Sequence, residues 1–205
     1  MKRSGAWLSF DKALNSVMKS LKLFMLLLGC KPPGRNIEQH DIFFAIGTDL
    51  KDILPDIFDF WPEANQKIHI DAWREVNRVD NFDVSVIARD KADASDEELI
   101  RLFFINLGGY KPGEFEEFHY KLIAAAPNKG IAIQQAKKTA FYCHTGFKGA
   151  TSHVDDKYGV DVDDLYEISD ILPPTMKEKY SISLTPATIS TEDELVLGYT
   201  RLDKL

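Results

Sequence analysis

The chain contains one segment twice, and this duplication constrains its fold more than any other feature of the sequence. Leu23–Asp41 reads LFMLLLGCKPPGRNIEQHD, and Leu102–Tyr120 reads LFFINLGGYKPGEFEEFHY, at a constant offset and without a gap. The identical pairs are Leu23/Leu102, Phe24/Phe103, Leu28/Leu107, Gly29/Gly108, Pro33/Pro112, Gly34/Gly113, Glu38/Glu117 and His40/His119. A repeat of this kind predicts an architecture built from two copies of one module.

Each copy of the repeated segment opens a half of the chain, and the two halves have the same order of predicted elements. In the first half, the apolar patterns predict two strands, a helix and two more strands, over Lys22–Leu28, Gln39–Gly47, Asp49–Trp61, Lys67–Val76 and Phe82–Ile87. In the second half the same order falls on Arg101–Leu107, His119–Ala126, a helix from Asn128 to Phe141, Val160–Asp163 and Tyr180–Leu184, with an insertion, Cys143–Gly159, after the helix. The sequence therefore predicts an α+β fold of two tandem ββαββ modules, related by a pseudo-two-fold axis, with mainly antiparallel sheets and one helix each.

The predicted boundaries follow from this repeat. They are an N-terminal extension (1–21), module 1 (22–90), a polar linker (91–98), module 2 (99–190) and a C-terminal tail (191–205), in which Glu194–Leu202 predicts an extra edge strand. A module of about 65 residues around one helix buries only a marginal core. We therefore expect the two halves to pack against each other, as the subunits of a homodimer would.

Composition excludes several classes of function. The net charge of −7 argues against binding to the nucleic-acid backbone, which needs a basic surface. No run of about 20 apolar residues predicts a membrane span, and the two cysteines are too few for a disulfide scaffold and fit a cytoplasmic protein. The alternative is a lipoprotein acylated at Cys30, which ends an apolar run after Lys2 and Arg3. The same apolar pattern recurs in mid-chain at Leu102–Leu107, and this favours a buried strand.

The repeated Glu-x-His motif is the first candidate site. Glu38 and His40, and likewise Glu117 and His119, are two residues apart, so on an extended chain each pair shares a face. Carboxylate and imidazole ligands together suit zinc or a similar divalent metal. In the alternative interpretation, these residues make loop hydrogen bonds at the entry of a strand. The insertion adds His144 and His153 as metal candidates at an unspecific spacing, whereas Asp161, Asp163 and Asp164 are interpreted as a solvated acidic face.

The glycines of the repeat form a second candidate site. A backbone nest could bind an anion, and its predicted residues are Gly29, Lys31, Gly34, Arg35, Gly108, Lys111 and Gly113. The alternative is a strand-end glycine followed by a Pro-Gly turn in each half. No glycine-rich nucleotide-binding motif accompanies these residues.

The repeated block resembles a small bacterial family of domains of unknown function, DUF1543, which occurs in one or two copies per chain. The resemblance rests on LLLGCKPPGRNIEQHDIFF and IHIDAWREV in the first half, and on LFFINLGGYKPGEFEEFHY and KTAFYCHTGFKGATSHVDDKYGVDVDDLYEI in the second, and covers about residues 22–185. It implies a bacterial protein of unknown function. The family carries no known activity or catalytic residues that could be transferred to this chain.

Two hypotheses of function follow. The preferred one is a non-enzymatic pseudo-dimer that binds a small ligand or a protein partner in a groove between its halves. The alternative is a small metal-dependent enzyme with its Glu and His sites on the repeated segment. From the second strand onward the element order is βαβββ, as in the modules of glyoxalase-like metalloenzymes, but this is an analogy of fold only. The sequence leaves open the ligand, any cofactor beyond a candidate divalent metal, and the oligomeric state, including a homo-oligomer.

Overall fold

The protein is a mixed α+β structure of mainly antiparallel sheets with few helices, as seen in a computed structural model that describes residues 20–91, 99–110, 113–145, 161–188 and 191–205. The first half contains β1 (Lys22–Cys30), β2 (Gln39–Gly47), α1 (Leu54–Phe60), β3 (His69–Glu75), β4 (Arg78–Val79) and β5 (Phe82–Ala88). The second half contains β6 (Arg101–Tyr110), β7 (Glu117–Ala126), α2 (Lys129–Thr145), β8 (Asp161–Glu167), α3 (Ile168–Ile171), α4 (Pro174–Lys179), β9 (Tyr180–Pro186) and β10 (Val196–Arg201). Short 3₁₀ turns lie at Pro62–Ala64, Arg89–Lys91 and Leu202–Lys204.

The first strand of each half lies at the centre of a sheet. The strand order is β10-β3-β1-β2 in one sheet and β7-β6-β8 in another. Both central strands are rich in apolar residues, with Asn106 as the one polar residue in the middle of β6, and this suits strands that are largely covered on both faces. The pairing places Gly29 opposite His40 on one side and His69 on the other. In the second half Gly108 lies opposite His119 and Asp161.

The two halves are joined by a third sheet, with strand order β4-β5-β9. In this sheet β5 and β9 run antiparallel, with Ser85 directly opposite Ser183. A shared core lies between the halves: the rings of Phe44 and Phe104 meet edge to face with their centroids 5.6 Å apart. Leu102 and Phe104 are buried in the same apolar cluster as the first-half core. A second apolar cluster lies between β6, β7 and α2.

The predicted extra strand near the C-terminus is present, and it belongs to the first-half sheet. β10 pairs antiparallel with β3, with Leu197 opposite Ala72 and Arg201 opposite His69. It therefore covers the edge of β3 that would otherwise be unpaired. Among the described residues, no helix combines the length and apolar character needed to cross a membrane.

The first helix starts late within the predicted range Asp49–Trp61, as Pro55 inside that range indicates. It begins at Leu54, and Pro55 stands in its first turn, where proline is well tolerated. The Asp52 carboxylate accepts hydrogen bonds from the backbone N–H of Thr48 at 2.9 Å and from its hydroxyl at 2.5 Å. These bonds form a separate turn before the helix, so Thr48 does not cap it. The second helix is capped as predicted, because the N–H of Ile131 donates to Asn128 Oδ1 at 3.0 Å.

Candidate metal centre

Two histidines and two carboxylates meet at one end of the first-half sheet. Glu38 and His40 lie at the start of β2, and His69 and Asp71 lie at the start of β3. Both strands are neighbours of β1, so they bring the four side chains to the same strand end, beside Gly29. We call these four residues the first-half centre.

The donor atoms of the first-half centre lie within 4 Å of their partners. His40 Nε2 is 3.2 Å from Asp71 Oδ2 and 3.7 Å from Glu38 Oε2. His69 Nε2 is 3.2 Å from Glu38 Oε1 and 3.3 Å from Asp71 Oδ1. Each carboxylate therefore lies close to both imidazoles.

Gly29 provides the space for this arrangement. A Cβ atom at this position would overlap both Asp71 Oδ2 and His69 Nε2. Only a glycine on β1 lets the side chains of the adjacent strand approach the backbone so closely.

Burial differs across the centre. His69 is 7% exposed, and Asp71 Oδ2 is buried without a hydrogen-bond partner; the 3.2 Å approach of His40 Nε2 lacks hydrogen-bond geometry. The side chains of Glu38 and His40 are 45% and 43% exposed. The centre therefore has a buried floor on β3 and opens to solvent on the β2 side.

The second half repeats part of this arrangement. Glu117 and His119 on β7 meet Asp163 on β8, with His119 Nε2 3.3 Å from Asp163 Oδ2. One ligand atom from each of the three residues lies within 4.8 Å of the others. A Cβ at Gly108 would overlap Asp163 Oδ2, so this glycine has the same role as Gly29. We call Glu117, His119 and Asp163 the second-half centre.

The predicted Glu and His residues thus meet carboxylates of their own halves. Sequence reasoning missed His69, Asp71 and Asp163. The usable signal was the match between His69-Ile70-Asp71 and Asp161-Val162-Asp163, which pairs Asp71 with Asp163. Alternation along a strand places residues i and i+2 on one face, but the sequence does not say which strand lies beside which.

The glycine nest receives a different interpretation in the structure. Gly34 and Gly113 both have φ of +80°, and the N–H of Arg35 donates to the carbonyl of Pro32 at 3.3 Å. This is a β-turn with proline and glycine at its centre. Lys31 and Arg35 are exposed on that loop. Lys111 and His153, and the side chain of His144, lie outside the described residues.

Cys30 lies beside the first-half centre and is fully buried at the end of β1. Its Sγ is 3.9 Å from the carbonyl oxygen of Ala64. Burial raises the pKa of the Cys30 thiol, and the negative charge of Glu38 raises it further. A buried thiol with a raised pKa is a poor nucleophile at neutral pH.

The C-terminal strand reaches the first-half centre. The ring of Tyr199, in β10, lies on His69 with the ring centroids 4.4 Å apart. The same tyrosine lines a groove of about 610 Å³, whose other walls are Leu54, Phe58, Gln66, Lys67, Ile68, Arg201, Leu202 and Asp203. The groove combines an apolar wall with basic side chains, and Arg201 is paired with Asp203 at 2.6 Å.

Comparisons with known proteins support the fold and the family resemblance and indicate no specific activity. The crystal structure of a protein Il1583 from Idiomarina loihiensis is similar, with a TM-score of 0.55 and 22% sequence identity, over 89% of this chain and 97% of that one. A likeness at this identity shows a common fold only. No curated protein matches the chain. A family model described as Domain of Unknown Function (DUF1543) matches residues 35–86, which include all four residues of the first-half centre, and it confirms over this segment the family that the sequence resembles.

Proposed function

We propose that the protein is a metal-dependent small-molecule-binding protein, and that its first-half centre holds one divalent transition-metal ion of the zinc class. The observation that carries this proposal is that each of two imidazole nitrogens lies 3.2–3.7 Å from an oxygen of both Glu38 and Asp71. Nitrogen and oxygen donors in this ratio are typical ligands of zinc and of neighbouring divalent metals.

A metal site explains features that a network of ion pairs leaves unexplained. The buried Asp71 Oδ2 has His40 Nε2 at 3.2 Å but no hydrogen bond, and a buried polar atom without a hydrogen bond normally costs about 1–3 kcal/mol. A bound cation would satisfy it. Gly29 gives up side-chain packing on a central strand, which a strand normally disfavours, and the space that it leaves is filled by the donor atoms of His69 and Asp71.

The open side of the centre supports ligand binding at the metal. Structural zinc sites are closed by their protein ligands, whereas sites that act on a ligand keep a position open. Here Glu38 and His40 face solvent. When bound, such an ion supplies a Lewis acid for an oxygen atom of the ligand.

The adjacent groove supports a class of ligand. Ile68 and Tyr199 line it and lie next to His69 in the chain and in space, respectively. Lys67, also in its wall, is exposed and attracts negative charge. A small carboxylate or other oxyanion with an apolar portion fits this combination, with its oxygen atoms at the metal and its apolar part against Leu54 and Phe58. The solvent-facing coordination also favours a second candidate, a small metal-dependent enzyme.

We also propose that the chain arose by duplication of one ββαββ module. This is supported by the common element order, by the equal placement of β1 and β6 at the centre of their sheets, and by the antiparallel pairing of β5 with β9. A bacterial origin and a cytoplasmic location stay predictions from the sequence.

The test is the metal content and zinc affinity of the purified full chain. We expect elemental analysis after dialysis, and calorimetric titration with Zn²⁺, to give one tight zinc site in the first half. His69→Gln and Asp71→Asn should each weaken it by at least about 10- to 100-fold, the loss that outer-shell changes alone produce. Glu63→Gln replaces an exposed carboxylate of the same half and should leave the affinity unchanged.

Thermal unfolding without metal separates a lost ligand from a lost fold, because His69 is buried. A folded Asp71→Asn variant with the zinc affinity of the wild type would contradict the proposal. A wild-type protein that binds no zinc would also contradict it, and would leave the cluster as an ion-pair network. Competition of acetate or phosphate for bound water at a Co²⁺-substituted centre, followed by absorption spectroscopy, tests the proposed oxyanion; an unchanged spectrum would exclude that ligand class.

A further inference from the structure

We infer that the second-half centre is a separate metal site with a different preference, for a harder cation of the manganese class. This second site is distinct from the proposed zinc centre, and the inference rests on the geometry of the second half alone. Glu117, His119 and Asp163 come from two adjacent strands, β7 and β8, and one ligand atom from each lies within 4.8 Å of the others. Such a spacing brings three donors within reach of one ion.

Gly108 is an independent observation that supports this site. It lies on β6, between the two strands that carry the donors, directly opposite His119. A Cβ there would overlap Asp163 Oδ2 and approach Asp163 Cγ to 2.9 Å. The central strand therefore lacks a side chain where the carboxylate of Asp163 turns toward the histidine, as at Gly29 in the first half.

The second-half centre has one imidazole fewer than the first-half centre. Opposite Gly29 stands His69, whereas the residue opposite Gly108 is Asp161. The second-half centre therefore offers one imidazole nitrogen among carboxylates, where the first-half centre offers two. Oxygen-rich sites suit magnesium, calcium and manganese, whereas added imidazole ligands favour zinc and its neighbours. One nitrogen with carboxylate oxygens points to Mn²⁺ among the hard cations.

Tyr110 positions one of the donors. It lies directly opposite Glu117 in the β6–β7 pairing, and the nearby negative charge of Glu117 raises the pKa of its hydroxyl, which can donate to that carboxylate. Hydrogen bonds of this kind orient carboxylate ligands and tune the affinity of a metal site. The side chains of His119 and Asp163 are 37% and 34% exposed, so an ion exchanges directly with solvent. The first-half centre would thus retain its metal, whereas the occupancy of the second-half centre would depend on the concentration of free Mn²⁺.

The experiment is a titration of the full-length, metal-free protein with Mn²⁺, followed by electron paramagnetic resonance of the free ion. We expect one Mn²⁺ site that Asp163→Asn and His119→Ala each weaken at least 10-fold. Asp170→Asn, an exposed carboxylate in the same half, is the matched control and should bind Mn²⁺ as the wild type does. Tyr110→Phe should weaken the site without abolishing it.

First-half variants separate this inference from the zinc proposal. His69→Gln should lose zinc and keep the Mn²⁺ site. His69→Asp leaves the first-half centre with one imidazole, as in the second-half centre, and should add a second Mn²⁺ site. Unchanged Mn²⁺ binding in folded Asp163→Asn and His119→Ala would overturn the inference, as would a wild type without a Mn²⁺ site. Loss of first-half zinc in Asp163→Asn would also overturn it, because the two centres would then be one.

Discussion

Replacement of Gly29 by alanine tests the first-half centre without touching any of its donor atoms. The new methyl group would occupy the position of Asp71 Oδ2 and His69 Nε2. Asp71 is 26% exposed and can turn toward solvent, whereas His69 is packed beneath Tyr199 with only 9% of its side chain exposed. The methyl group should therefore displace the aspartate and push the histidine against its neighbours.

The expected magnitudes follow from that overlap. Extra methyl groups in a well-packed site cost about 1–3 kcal/mol, and each kcal/mol lowers the melting temperature by about 2–4 °C in a chain of this size. Metal affinity should fall more steeply, because the substitution displaces ligands themselves. We expect a loss of at least about 100-fold, since outer-shell changes alone cost about 10- to 100-fold, and this corresponds to roughly 2.7 kcal/mol.

Calorimetric titration with Zn²⁺ and thermal unfolding with and without zinc measure both effects. Gly130→Ala is the matched control, because its Cβ would meet Asn128 Oδ1 at an ordinary 3.4 Å, and it should change neither zinc affinity nor the zinc-induced shift in melting temperature. Gly108→Ala should spare zinc and remove Mn²⁺ binding. If folded Gly29→Ala binds zinc as tightly as the wild type, His69 and Asp71 are not both ligands and the assignment of the centre is wrong.

Three further predictions concern the fold. Phe44→Ala removes the ring that meets Phe104 across the two halves; it should cost about 3–5 kcal/mol by denaturant unfolding, and a change below 1 kcal/mol would contradict a shared core. Asn128→Ala removes the cap of α2 and should cost about 0.5–2 kcal/mol, whereas a variant as stable as the wild type would show that this hydrogen bond is not formed. Desolvation raises the pKa of Asp41, and Asp164 contributes to the same shift. The folded state therefore holds this proton more tightly than the unfolded chain does. Ionisation of the Asp41 carboxylate thus lowers the stability of the fold as the pH rises. Asp41→Asn should therefore raise the melting temperature at neutral pH, and the gain should vanish below pH 3.8, the ordinary value; a gain that is independent of pH would refute this cause.

The strands were predictable because the apolar residues of this chain form runs whose ends lie close to the ends of the strands. β2 spans the predicted Gln39–Gly47 without a shift, and β1 and β6 extend the predicted runs by a few residues through their glycines. The apolar periodicity extends the first helix back to Asp49, although Pro55 within it indicates the late start that the structure shows. Asp52 accepts hydrogen bonds from the N–H and the hydroxyl of Thr48 and forms a separate turn before the helix, and such local side-chain hydrogen bonding is not visible in the apolar periodicity.

The candidate centre was predictable only in part, for a topological reason. Glu38 and His40 share a strand, so their spacing alone indicated a common face. His69 and Asp71 join them because β2 and β3 flank the same strand, and the sequence does not contain the order of strands in a sheet. Gly29 was assigned to a candidate anion nest or a strand end, whereas a repeated glycine within a buried strand also marks a position where a neighbouring side chain approaches the backbone.

The path of the C-terminus links the site to the whole chain. β10 follows the second half in sequence, yet it pairs with β3 of the first half and lays Tyr199 on His69. The buried imidazole of the first-half centre is thus covered by a residue that is more than a hundred positions away along the chain. A first half expressed alone would expose both the edge of β3 and the ring of His69. It would also lose the apolar cover that Phe104 gives to Phe44. The first-half centre therefore depends on both halves, even though its four donors all lie within the segment that matches the family.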